Sequence, residues 1–316
     1  MKVLLREQDL SDEYIRFAQQ IGVDGFDIHD PLKLPGVEEQ GYPDTEALRV
    51  LISSLRSAGL GVYRVAPKAP IRYLKDEPGG DEDVDHLKKT IEAFGVVGIP
   101  FMSMPIHLDN PGYRGGYAFT HRGGYTMHGF DTDLMHSRIA QDGYTDPTPM
   151  NAHWDRSVAL YRELIPVAER VNVRLITHPS DPPLPNTDVS PRKWTGLMDA
   201  APSDHNGLLF CVGTRYESGI SILDDIRNWG RKGKIFHTHF RNVRGTLPSS
   251  GGYQEMALDD GDMNMFTVLK TLREVGFDGG LQIDHLPHYD WDDRHQKIAS
   301  GYAVGYVKAM VTALRG

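Results

Sequence analysis

The chain alternates eight times between short apolar runs and stretches of helical periodicity. Residues 3–5 are an apolar run, and Ser11 ahead of Asp12 and Glu13 caps a helix that Gly22 stops. Residues 25–29 alternate as a strand, and after a Pro- and Gly-containing stretch a helix begins near Asp44. Its Leu48, Leu51, Ile52 and Leu55 follow the i, i+3, i+4, i+7 rule, and Gly59 ends it. A third strand at 61–65 leads through a polar loop to a helix over 81–96 with Val84, Leu87, Ile91 and Phe94 inward. Further strands are expected at 101–106, 173–176, 208–212, 235–239 and 280–284. The remaining helices fall at 153–171, from Ser190-Pro191 to 200, at 221–229, around 265–272 and at 298–314.

Eight strands, each followed by a helix, predict an α/β chain folded as a (β/α)8 TIM barrel, one domain over residues 1–316. An open doubly wound sheet is the competing architecture, but the Gly-rich dinucleotide fingerprint is missing after the first strand. Residues 107–150 break the rhythm. Rich in Gly, Tyr, His and Asp and without a helical period, they read as a loop inserted after strand 4, either an active-site lid or a disordered excursion.

The net charge of -9 and the scatter of Lys and Arg argue against nucleic acid or an anionic membrane as the main partner. No apolar run approaches the roughly 20 residues that span a bilayer, and the N-terminus reads as free of a targeting segment, so a cytoplasmic protein is expected. A single Cys211 excludes an internal disulfide and leaves either a buried hydrophobe or a thiolate with a task.

The stretch from Ile235 to Arg244 starts as a buried strand and turns abruptly polar and cationic at His239, Arg241 and Asn242. On the barrel frame, His178, Cys211, His239 and Asp284 fall at the ends of four successive strands, at the face where barrels do their chemistry. Two imidazoles, a thiolate and a carboxylate suit a divalent ion such as zinc, iron or manganese. Arg241 is placed to grip a carboxylate, or else to pair with a structural carboxylate such as Glu255 or Asp262. Asn242 would meet a hydroxyl, and His285, next to Asp284, suits proton transfer. His237 shares the face of His239 but sits one layer deeper.

His178-Pro179-Ser180-Asp181-Pro182-Pro183, Phe210-Cys211-Val212-Gly213, His239-Phe240-Arg241-Asn242-Val243, Asp259-Asp260-Gly261-Asp262-Met263-Asn264-Met265 and Asp284-His285 together resemble the mannonate dehydratase family, within the xylose-isomerase-like barrels. The segment from Arg122 to Asp131 is similar to a weaker pattern of that family. The resemblance implies a hydro-lyase that holds one Mn2+, with Fe2+ or another divalent ion as substitutes, through His178, Cys211, His239 and Asp284. It implies conversion of D-mannonate to 2-keto-3-deoxy-D-gluconate by removal of the C2 proton and loss of the 3-hydroxyl. His285, Arg241 and Tyr289 are then the catalytic candidates, Tyr302 being the other tyrosine considered. Arg241, Asn242, Arg122 and Glu255 are the expected substrate contacts, and a homo-oligomer is possible. A metal-dependent sugar isomerase or epimerase competes with this reading, though such sites seldom use Cys. A silent barrel that only binds a sugar acid is the third.

Overall fold

A computed structural model describes residues 1–108, 111–143, 154–184 and 194–315. Eight parallel strands close a barrel: β1 (Lys2–Arg6), β2 (Gly25–Ile28), β3 (Gly61–Val65), β4 (Phe101–Ser103), β7 (Arg174–Thr177), β8 (Asn206–Cys211), β9 (Ile235–Phe240) and β12 (Gly280–Ile283). The ring closes where β1 pairs with β12, Lys2 opposite Gly280 and Leu5 opposite Ile283. Closure excludes the open sheet. The helix Asp12–Ile21 starts where expected, Ser11 Oγ accepting from Tyr14 N at 3.2 Å, and ends on Gly22 in the left-handed conformation. Asp44 caps Thr45–Ser57 in the same way.

Alternation along each strand sorts the side chains into two layers. Val3 and Leu5 of β1, and Phe26 and Ile28 of β2, pack outward in the main apolar cluster with the helices. Leu4 points the other way, toward Gly280 and the ring of His237. His237 Nε2 is 2.6 Å from Asp27 Oδ2, so Asp27 is also inside the barrel, and the Arg64 guanidinium lies 3.9 Å from that carboxylate. The deeper layer foreseen for His237 is therefore a buried polar floor under the mouth.

The 107–150 segment is not structureless. It contains β5 (Gly116–Thr120), β6 (Thr126–Asp131) and a helix, Thr132–Asp142, capped by Asp131. The helical period was hard to see because this helix buries only Met135. β5 and β6 form a hairpin that continues into β11 (Gly252–Met256) and β10 (Asn242–Arg244), a four-stranded antiparallel sheet absent from the sequence reading. Since β10 follows β9 after one residue, this second sheet is attached at the C-terminal end of the barrel.

Four strands stop earlier than expected. β2 ends at Ile28, β4 at Ser103, β12 at Ile283 and β8 at Cys211, where a short helix, Val212–Glu217, begins at once. The Ser190-Pro191 cap, the first residue of the helix expected at 153 and the end of the 107–150 insertion lie outside the described residues. No helix among the described residues is long and apolar enough to cross a membrane.

Candidate active site

The inward positions of the strands decide what lines the mouth. His178 follows Thr177, whose hydroxyl bonds outward to Tyr161 on the helix Trp154–Val171, so His178 faces the axis. Cys211 shares a face with Leu209, His239 with His237, and Asp284 with Gln282. Ligand atoms of His178, Cys211 and His239 all lie within 4.8 Å of one another. Tetrahedral ligands about 2.0–2.3 Å from a common ion stand roughly 3.3–3.8 Å apart, so the trio is near enough to converge on one ion. Asp284, directly after β12, lies outside that trio but beside it, its Oδ2 3.1 Å from His239 Nδ1.

Each donor is prepared differently. His178 Nδ1 donates to the Pro179 carbonyl at 2.6 Å, which leaves the Nε2 lone pair for another partner. Burial pushes His178 down to about 4, so it is a neutral imidazole. Burial opposes ionisation of Cys211, yet Arg241 and His239 outweigh it and hold the thiol below its ordinary value. Burial also works against Asp284, but His239, His285 and Arg241 hold this carboxylate well below the usual range. Although His239 lies close to Asp284, the contact is off the line of a hydrogen bond. Neither ring nitrogen of this buried imidazole has a hydrogen-bond partner among the described residues. Two orphaned nitrogens in a polar cluster are costly unless something occupies the space between the donors. The donor set fits a divalent ion.

A second trio, Asp27, His29 and His239, also lies within 4.8 Å and shares His239. Asp27 is already engaged by His237 and Arg64. His29 stacks on His239 with ring centroids 5.7 Å apart, and its buried Nε2 has no hydrogen-bond partner among the described residues. Burial, and then the Arg64 charge, hold His29 well below its ordinary value. The sequence reading passed over His29 because nothing but its place after a two-residue alternation marks it.

Arg241 is not the open clamp expected from sequence. Its side chain is 1% exposed and its donors are taken: Nη1 by Glu217 at 2.6 Å and Glu255 at 3.4 Å, Nη2 by Asp181 at 2.7 Å and Thr214 at 2.8 Å, Nε toward Cys211 Sγ at 3.4 Å. It lies beside Cys211 and Asp284 and offsets a carboxylate cluster. Of the two structural partners considered for it, Glu255 is in contact; Asp262 instead accepts from Gly245 N. Gly213 makes the room, since a Cβ there would come 2.7 Å from the guanidinium. Asn242 is likewise committed: Nδ2 donates to the carbonyls of Leu258 and Met263, and Oδ1 accepts from the amides of Val243 and Met263. A Cβ on Gly261 would sit 2.3 Å from Asn242 Oδ1, which explains the glycine in Asp259-Asp260-Gly261-Asp262. Asn242 therefore ties down a loop and has no group left for a substrate hydroxyl.

Arg122 is bidentate to Asp259, at 2.8 and 3.2 Å, and Tyr289 packs with Tyr125, Met127 and Ala257 in a small cluster on the second sheet. The lone Arg122 charge is thus already paired, and the Tyr289 phenol is raised by burial and has an aromatic setting, its ring edge-on to Tyr125. Tyr302, on the final helix, has its phenol raised by burial and then by Asp259. Asp181, Glu217 and Thr214, which sequence reasoning missed, form the cage of Arg241; Asp181 was visible only as part of the His-Pro-Ser-Asp-Pro-Pro run.

His285 differs from Arg241 in being 37% exposed, and it lines a crevice of about 330 Å³. Its Nδ1 meets Glu255 Oε1 at 2.5 Å and its Nε2 lies 3.5 Å from Asp284 Oδ2. Burial disfavours its charge, but the two carboxylates prevail and raise it to about 10, an imidazolium at neutral pH. Its backbone is held at φ 49°, a conformation that non-glycine residues adopt only when their surroundings impose it.

Residues 120–316 match the family model of D-mannonate dehydratase (UxuA). The chain is 36% identical over 171 residues to a mannonate dehydratase of Chromohalobacter salexigens, an alignment covering 49% of this chain and 42% of that protein. It is 25% identical over 277 residues to the mannonate dehydratase of Brachyspira hyodysenteriae, covering 76% and 77%. The crystal structure of mannonate dehydratase from Streptococcus suis serotype2 superposes with a TM-score of 0.82 at 20% identity, over 98% of this chain and 93% of that one. The alignment thus spans less than half the length of the Chromohalobacter relative.

Proposed function

The chain belongs to the mannonate dehydratase family, and from that premise we propose that it is a hydro-lyase of a sugar acid, D-mannonate being converted to 2-keto-3-deoxy-D-gluconate. The observation that carries this reading is the convergence of His178, Cys211 and His239, with Asp284 beside them, around two orphaned imidazole nitrogens. These four would hold Mn2+ or another divalent ion, which when bound supplies Lewis-acid stabilisation of the charge that develops as the weakly acidic C2 proton leaves.

Two of the chain's own residues bear on the rest of the elimination. The C2 proton passes to a base, its electron pair forms the C2–C3 double bond as the C3–O bond breaks, and the 3-hydroxyl departs as water once an acid gives it a proton. His285 is suited to deliver that proton, because Asp284 and Glu255 keep it charged and its exposed edge faces the crevice. The resulting enol then takes a proton at C3 to become the 2-keto acid. Arg241 acts from beside the site, holding Asp181, Glu217 and Glu255 in place and favouring the thiolate of Cys211.

The test is 2-keto acid formation from D-mannonate and a panel of other aldonates by metal-stripped protein, with and without Mn2+. Product from mannonate that returns with the ion is expected; product from another acid alone would change the substrate, and none from any acid with bound metal would overturn the reading. Cys211→Ser should bind the ion at least 10- to 100-fold more weakly, the loss seen when even outer-shell partners are removed. Metal content equal to wild type after dialysis against a chelator would take Cys211 out of the ligand set.

A further inference from the structure

Arg241 and Arg122 are both committed to internal carboxylates, so neither guanidinium is open to an anionic substrate. β1 supplies another. Arg6 follows Leu4 on the barrel-facing side of the strand and stands beside Asp27 in register with β2. On the other side Leu5 pairs with Ile283, so one residue further on Arg6 comes level with Asp284. Neighbouring strands are about 4.8 Å apart, which puts the root of this side chain next to the proposed ligand ring.

Arg6 is exposed, and its guanidinium has no ion-pair or hydrogen-bond partner among the described residues; only its backbone carbonyl is used, by Tyr14. It lines the same crevice as His285, together with Glu7, Gln8, Lys33 and Gln296. The other charged side chains that line it, Glu7, Asp30, Lys33 and His285, are spoken for, Asp30 accepting from Leu32 N and His285 meeting Glu255. Glu7 accepts from the amides of His29 and Asp30, and Lys33 donates to the Gln8 carbonyl beside Glu7. Glu7 thereby fixes His29, with its unpartnered Nε2, next to Arg6, while Arg6 itself remains uncommitted.

We propose that Arg6 is the carboxylate-binding residue of this site, its planar fork receiving the acid group of an aldonate in the crevice between the ends of β1, β2 and β12. The assignment rests on the sugar-acid reading above. It makes the distinction between an acid and its uncharged analogue a property of β1, not of the Arg241 segment, and it requires a guanidinium because a bidentate contact orients the ligand as well as attracting it.

Binding of D-mannonate and of D-mannonamide is measured calorimetrically on Mn2+-loaded protein carrying His285→Asn to suppress turnover, with and without Arg6→Gln or Arg6→Lys. The expected result is that Arg6→Gln weakens mannonate by on the order of 10- to 100-fold, the size of one charge-assisted pair. The amide should bind both forms alike, metal content should not change, and Arg6→Lys should restore part of the loss. Equal weakening of acid and amide, or no weakening of the acid, would overturn the assignment while leaving the dehydratase reading intact. If the parent protein binds no aldonate, the functional reading fails and the subsite with it.

Discussion

Arg241→Met is expected to destabilise the metal-free protein by about 3–5 kcal/mol, the cost of breaking a buried ion pair from one side. The guanidinium touches Glu217, Asp181 and Glu255, and the first of these is fully buried. Removing the cation leaves negative charge with nothing to balance it, a large fraction of the roughly 5–15 kcal/mol that holds a typical domain together. For a chain of this size the midpoint of thermal unfolding should fall by about 5–8 °C. The loss also has a pH signature. Burial already pushes Glu217 well above the carboxylate range, and Asp181 is held low because Arg241, followed by His178, His285 and Tyr253, offsets its burial. Without Arg241 both would be raised in the folded state. A raised carboxyl stabilises below its unfolded value and loses that contribution as pH rises through the folded one, so the deficit should be small near pH 4 and largest at neutral pH and above. Arg241→Lys, which keeps a charge but cannot span three acids, should lie between wild type and Met. An unfolding midpoint for Arg241→Met within 1 °C of wild type at pH 8 would contradict this account.

His285→Asn should lower turnover by about 10²- to 10⁴-fold, the usual contribution of a positioned acid or base, while metal content stays as in wild type. Asparagine is the informative replacement. It tolerates a positive φ better than most residues, and its amide can still donate to Glu255, so the backbone and one contact survive while the transferable proton is lost. If His285 acts as the acid, the falling limb of kcat against pH on the alkaline side should disappear in the variant, because that limb reports deprotonation of the imidazolium. A variant with wild-type turnover, or one with the same alkaline limb, would remove His285 from the proton transfer.

The elements legible in the sequence were those whose signals are local. Ser11 and Gly22, or Asp44 and the Leu48-to-Leu55 stripe, state a helix within a dozen residues, and repetition of such units pointed to the barrel. The strand ends carrying His178, Cys211, His239 and Asp284 were legible for the same reason, once the frame put them side by side. What failed depends on partners far apart in the chain. Arg241 and Asn242 looked like ligand-binding groups because their polar partners, from Asp181 to Met263, are brought to them only by the fold. β10 and β11 are too short and too polar to register as strands, and they become a sheet only when the 116–131 hairpin pairs with them. Arg6 was missed for the opposite reason. A charged residue ending a short strand is ordinary in sequence and stands out only when every neighbouring charge is found to be paired.

Gly213 and Gly261 offer no side-chain donor, acceptor or charge, yet a methyl group at either would displace Arg241 or Asn242. In lineages that keep this site, drift at those two positions should be suppressed as strongly as at the side chains they accommodate. A glycine could be released only together with its partner: Gly213 changing alone would evict the guanidinium, whereas Gly213 and Arg241 could be lost as a pair. Inheritance of the site therefore extends to residues with no chemistry of their own, and paired substitution at 213 and 241, or at 261 and 242, is the trace that would mark a descendant in which this cluster had been abandoned.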